Sequence, residues 1–115
     1  MTVLVAHAHT DEGAAAFTFA LAEAARRNED LLAFELAGHP VPEPTTIDGV
    51  AVSYRSPGAD ERDFAGAFLD TAEAVEVSVV VVGIRHRSPV GKMLLGSTAQ
   101  QILLESSAPV IAVKA

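Results

Sequence analysis

The chain contains no cysteine, which excludes disulfides and thiolate chemistry and fits a reducing cytoplasm. Aromatic side chains make up only 5% of it, while half of the residues are apolar. The core must therefore be built from Val, Leu, Ile and Ala, a composition that suits a buried parallel sheet covered by alanine-rich helices. Basic residues are scarce: eight Lys and Arg face fifteen Asp and Glu, for a formal charge of −7. That balance argues against nucleic acid as a partner. No apolar run approaches the ~20 residues of a membrane helix. The start, Met1-Thr2-Val3-Leu4-Val5, has no basic stretch ahead of its apolar residues and reads as a first strand, not a signal peptide. What these absences leave is a soluble, acidic domain expected in the cytoplasm, and 115 residues suffice for a single core.

The patterning alternates strands with helices. Residues 3–6 read as a buried strand, and Thr10-Asp11-Glu12 then opens a helix with acid in its first turn. Ala14, Phe17, Leu21, Ala24 and Ala25 recur at helical spacing until Arg26-Arg27-Asn28 close the pattern. Residues 31–36 form a second strand. The stretch 38–49 carries Pro40, Pro42 and Pro44, so it is neither regular helix nor central strand but a connector. Residues 50–54 are a short third strand, and Asp60, Glu61, Phe64, Ala65, Phe68 and Ala72 outline a second helix. Residues 77–82, nearly pure valine, are the central fourth strand. Ser97 or Thr98 then caps a third helix, with Gln100 or Gln101 completing a capping box and Ala99, Ile102 and Leu103 on its buried stripe. Ala108-Pro109 stop it, and residues 110–113 form a fifth strand. Right-handed crossovers then require an α/β fold with a parallel sheet. The crossover through the proline connector is too short for a full helix, so one sheet face is expected to be partly bare beside the second and third strands.

The richest stretch is residues 83–97, a glycine-punctuated loop between the valine strand and the third helix. Open α/β sheets bind ligands there, at the carboxyl ends of their strands. Three of the eight basic side chains fall in it (Arg85, Arg87 and Lys92), and cationic charge at a helix start favours an anion, above all a phosphate. A Walker A loop fails, because His86 occupies its first glycine position and Met93 its magnesium-binding one. A Rossmann G-x-G-x-x-G is absent.

Gly83, His86 and Gly96-Ser97 reproduce the spacing of the G-x2-G-x9-G-[S/T] nucleotide loop, and the chain thereby resembles the universal stress protein family. The likeness extends through the valine-rich strand, the run from Arg87 to Gln100, and Ala108-Pro109-Val110-Ile111-Ala112-Val113. It is strong from residue 77 onward, weaker over 3–36 and poor across 37–58, where the family's second helix is missing. The resemblance implies one three-layer domain over residues 1–115, with an open parallel five-stranded sheet of order 3-2-1-4-5. It also implies an adenine nucleotide, ATP or AMP, with its base against Ala6, His7 and Ala33. The phosphates would lie over Gly83, His86, Gly96 and Ser97, with Arg85 and Thr98 also among the nucleotide-binding residues. A homodimer through residues 109–115 follows from it too, and pairing would cover an otherwise bare edge strand.

Two positions depart from the family pattern. His86 replaces the second loop glycine, which removes backbone freedom at the phosphate approach. A protonated His86 between Arg85 and Arg87 would instead supply charge-assisted donors. Ala8 stands where ATP-binding members carry an aspartate near base and ribose, which argues against tight ATP selectivity. For Gly83, Gly96 and Ser97, helix capping and anion binding use the same geometry, so both readings stay open.

No catalytic constellation is present. Asp11 and Glu12 suit a helix start without chemistry, and Ser88 has no base beyond His86. His7, His9 and His86 fall near one sheet edge, and His-x-His is a two-ligand metal spacing. Alternate residues share a face only while the segment stays extended, and the sequence assigns no acid to complete the set. No metal site is therefore assigned, and His39 reads as exposed. The expectation is a weak adenine-nucleotide-binding regulator of the stress response, not an enzyme. Its alternative is a dimeric interaction module without nucleotide. ATP hydrolysis ranks last, because the loop holds no magnesium ligand and no acid to position water.

Overall fold

Valine at alternate and adjacent positions produces strands buried on both faces, and these strands organise the molecule. The computed structural model describes residues 1–36, 38–58, 60–85 and 96–115. In chain order the elements are β1 (Thr2–His7), α1 (Asp11–Arg27), β2 (Asp30–Glu35), β3 (Thr45–Ile47), β4 (Val50–Arg55), α2 (Phe64–Ala74), β5 (Val77–Ile84), α3 (Ser97–Glu105) and β6 (Val110–Lys114). All six strands join one sheet of order β3-β4-β2-β1-β5-β6. Four pairings are parallel, and only β3 runs antiparallel to its neighbour β4. The expected five-stranded order is present from β4 to β6, and β3 is a sixth strand added at the edge.

That added strand lies within the proline connector. Ile47-Asp48-Gly49-Val50 is a two-residue hairpin whose central residues both have positive φ, 51° at Asp48 and 83° at Gly49. Asp-Gly favours this turn because glycine enters the left-handed region at no steric cost, and the turn's twist matches that of the strands. Prolines end before Thr45, which leaves a short edge strand free to pair.

Two cores flank the sheet. On one face Val3, Val5, Leu31, Ala33, Val50, Val52, Val79 and Val81 pack under α1. On the other, Leu4, Ala6, Leu32, Phe34, Val80 and Val82 pack under α2 and α3, with Phe34 and Phe68 edge to face at 5.6 Å. Helix α1 presents Gly13, Ala16, Ala20 and Ala24 to the sheet, while Ala14 and Ala25 are exposed. The buried stripe is thus rotated from the one expected, because the smallest side chains permit the closest helix–sheet approach. The bare face is also present: Ala51, Ser53 and Arg55 of β4 are exposed opposite α1. Being small or polar, they need no cover.

Caps account for the helix limits. Thr10 accepts a hydrogen bond from the Gly13 amide at 3.0 Å, and Asn28 closes α1 at φ 55°, as helix-terminal Asn does. Helix α2 begins at Phe64, four residues later than expected, because the Asp63 carboxylate accepts from the Gly66 amide at 2.9 Å. In α3 the N-cap is Gly96, not Ser97 or Thr98, and no side chain caps it. The capping box expected there does not form. Among the described residues, no helix is long and apolar enough to cross a membrane.

Candidate functional site

Adjacent parallel strands β1 and β5 end side by side, and a cleft of about 190 Å³ opens beyond their carboxyl ends. Its floor includes Ala6, Val82 and Gly83, its walls Ala8 and Leu36, and its mouth Glu12, Arg85, Gly96 and Thr98. Two helix N-termini face it. Thr10 already satisfies one amide of α1. The first turn of α3 has no side-chain cap, so its leading N–H groups have no acceptor within the helix. An uncapped helix start beside a cleft is suited to a phosphate or carboxylate.

Glycines make the cleft possible by removing bulk. A Cβ on Gly83 would lie 2.1 Å from the Glu12 carbonyl oxygen, and one on Gly13 would lie 2.1 Å from that of Ala8. Both glycines therefore hold the start of α1 against the strand ends. Gly83, expected over phosphate, lines the cleft but has this packing duty first. Gly96 has nothing within 4 Å of a Cβ and an ordinary φ of −64°.

The cationic rim is partly neutralised. Arg85 donates from Nε to the Glu12 carboxylate at 3.2 Å and is mostly exposed. The Glu12 carboxyl is held below its usual range, first by its own backbone N–H, then by the Thr10 hydroxyl and Arg85. An anion entering the cleft would compete with Glu12 for Arg85.

Of the expected site residues, Ala6, Gly83, Arg85, Gly96 and Thr98 come together in this cleft. Ser97 begins α3 but lies on a separate shallow depression with Gln100 and Leu104. His86 lies outside the described residues, as do Arg87 and Lys92. Two positions are corrected. His7 follows Val3 and Val5 onto the α1 face, where its ring meets Phe17 at 5.2 Å between centroids. Ala33 is fully buried among the same core residues. Strand alternation is the reason: Ala6 and Ala8 share the cleft side, and their odd-numbered neighbours do not. Burial lowers the His7 pKa, opposed by the Glu35 carboxylate and aided by His9. Thr10, Glu12, Gly13 and Leu36 were not expected in the cleft. A helix start and the end of an apolar strand are visible in sequence, but not their meeting point.

Comparison with known proteins agrees with this fold. Residues 59–114 match the model of the Universal stress protein family. A protein named Universal stress protein from Mycolicibacterium smegmatis is 36% identical over 128 aligned residues, covering 97% of this chain and 96% of that one. A universal stress protein structure from Archaeoglobus fulgidus superposes with a TM-score of 0.75 at 22% identity, covering 98% of this chain and 97% of the other. A universal stress protein structure from the same organism, in complex with dAMP, superposes with a TM-score of 0.68 at 19% identity, covering 98% and 96%.

Proposed function

The chain belongs to the universal stress protein family, and from that premise we propose that it is a cytoplasmic regulator of the stress response that binds an adenine nucleotide weakly. The observation that carries this reading is the uncapped α3 N-terminus opening on the cleft between β1 and β5. The dAMP complex of a structural neighbour supports adenine nucleotide as the ligand class. The phosphates would receive the free amides of α3 beside Gly96 and Thr98, with Arg85 released from Glu12 to join them.

Weakness follows from three features. The cleft's 190 Å³ is below the roughly 300–1,000 Å³ of pockets that enclose a small-molecule ligand, so part of a nucleotide would stay outside. Glu12 adds negative charge at the mouth, and Ala8 offers no carboxylate to a ribose. We read the protein as a sensor and not a turnover enzyme. Calorimetric titration with ATP and AMP, with and without Mg²⁺, tests this. Dissociation constants in the high-micromolar to millimolar range are expected, without phosphate release above a heat-inactivated control. No heat at millimolar nucleotide from a folded protein would leave the second reading, a dimeric interaction module. That reading is favoured by the β6 edge, where β5 is the only strand paired among the described residues.

A further inference from the structure

On the opposite face of the same sheet edge lies a cluster that the nucleotide reading does not use. His7 and Glu35 are register partners at the ends of β1 and β2. In a parallel ladder such partners leave the sheet on one face, here the face covered by α1. His9, in the turn after β1, brings its Nε2 to 3.0 Å from Glu35 Oε2. One donor atom each of His7, His9 and Glu35 lie within 4.8 Å of one another. His39 comes from the proline connector to stack edgewise on His9, with ring centroids 4.4 Å apart. Three separate segments thus converge, and three of the chain's four histidines are among them.

Burial singles the cluster out from a chance surface group. Glu35 is 3% exposed, so its carboxylate belongs to the interior and is held there by its partners, His9 among them. The Nδ1 of His7 is buried and has no hydrogen-bond partner among the described residues. Such atoms are rare in folded proteins and point to something that completes them.

We propose that His7, His9 and Glu35, closed at the rim by His39, form a zinc-binding site. Imidazole and carboxylate donors suit zinc, whereas calcium and magnesium prefer all-oxygen shells and no thiolate exists here for softer ions. Tetrahedral bonds of about 2.0–2.1 Å place donor atoms about 3.3 Å apart. The His9–Glu35 separation is close to that already, and the exposed His9 and His39 rings are free to close the rest. Zinc takes the place of the hydrogen between His9 Nε2 and Glu35, the His9 ring then carrying its proton on Nδ1, and coordination through Nδ1 satisfies the orphaned nitrogen of His7. The protein's net charge of −7 favours cation entry. Once bound, the ion ties the proline connector to the ends of β1 and β2.

The test uses the untagged full chain, stripped with chelator and dialysed, in the absence of nucleotide, so its outcome is separate from that of the nucleotide titration. Competition with a chromophoric chelator is expected to show one zinc per chain, and cobalt substitution the visible absorption bands of a four-coordinate site. His9→Ala removes an exposed ring, so its circular dichroism should match wild type while zinc affinity falls about tenfold or more. His7→Ala and His39→Ala should weaken binding likewise, and excess magnesium should not displace the ion. Absence of zinc uptake at tens of micromolar free metal, or equal affinity in wild type and His9→Ala, overturns the proposal. So does displacement by magnesium.

Discussion

A Cβ added at Gly83 would fall 2.1 Å from the Glu12 carbonyl oxygen, whereas one at Gly96 meets nothing within 4 Å. In sequence the two glycines are equivalent punctuation of one loop, because spacing records where a glycine stands and not what approaches it. The structure separates them. Gly83→Ala must push α1 off the strand end and is expected to cost about 1–3 kcal/mol, the range of an overpacked core. Gly96→Ala exchanges one N-cap for a poorer one and should cost under about 1 kcal/mol. Urea midpoints of the two variants measure the difference, and a Gly83→Ala midpoint equal to wild type would refute the packing role. Site residues were legible in the same uneven way. Ala6, Arg85 and Thr98 could be placed by their position at strand and helix ends. Glu35 could not be joined to His7, because strand register is invisible until β1 and β2 pair.

Helix α1 shows what an element adds to its residues. Beside its alanine-rich sheet side it buries Glu23, which accepts hydrogen bonds from Arg26 and, at 2.6 Å, from Arg27 Nε. Those bonds hold the Glu23 carboxyl below its usual range. The two arginines also sit in the last turn, where cations complement the helix dipole. A carboxyl depressed in the folded state stabilises it above the unfolded pKa of about 4.3 and loses that contribution as pH falls through the folded value. Wild type should therefore exceed Glu23→Gln in thermal midpoint at pH 7, and the gap should close towards about pH 3. A gap constant over that window would show that Glu23 acts only by packing. Helix starts were readable where a cap residue preceded an apolar stripe, as at Thr10. The β3–β4 hairpin was also written in Asp48-Gly49, but the three prolines before it mask the signal until the strand is seen paired.

For the whole molecule, the sheet ends on an unequal pair of edges. Strand β3 is three residues long and its Thr45 and Thr46 are exposed, a short polar edge that discourages further pairing. Strand β6 is longer and apolar, with Val110, Ile111 and Val113 half-buried and Ala112 exposed. The dimeric reading proposed above puts its contact on β6, and Ala112→Lys is a better probe of it than a change at Ile111, which packs against the core under α1. Light scattering at tens of micromolar should show a dimer for wild type, shifted to monomer for Ala112→Lys. A wild-type monomer would sink this pairing and with it the interaction-module reading.

Valine and alanine content, the placement of caps and the spacing of the glycine loop determined the α/β class, the strand succession and the location of the cleft at the carboxyl edge. These are local properties, carried by residues near one another in the chain. Tertiary structure alone decided that Gly83 carries α1, that His7 and Ala33 turn away from the cleft, and that Glu35 completes a cluster with His7 and His9. Each of those depends on register and on which face a strand presents. Both are set by the pairing of segments distant in the chain, as Thr2 and Val77 are in the β1–β5 ladder.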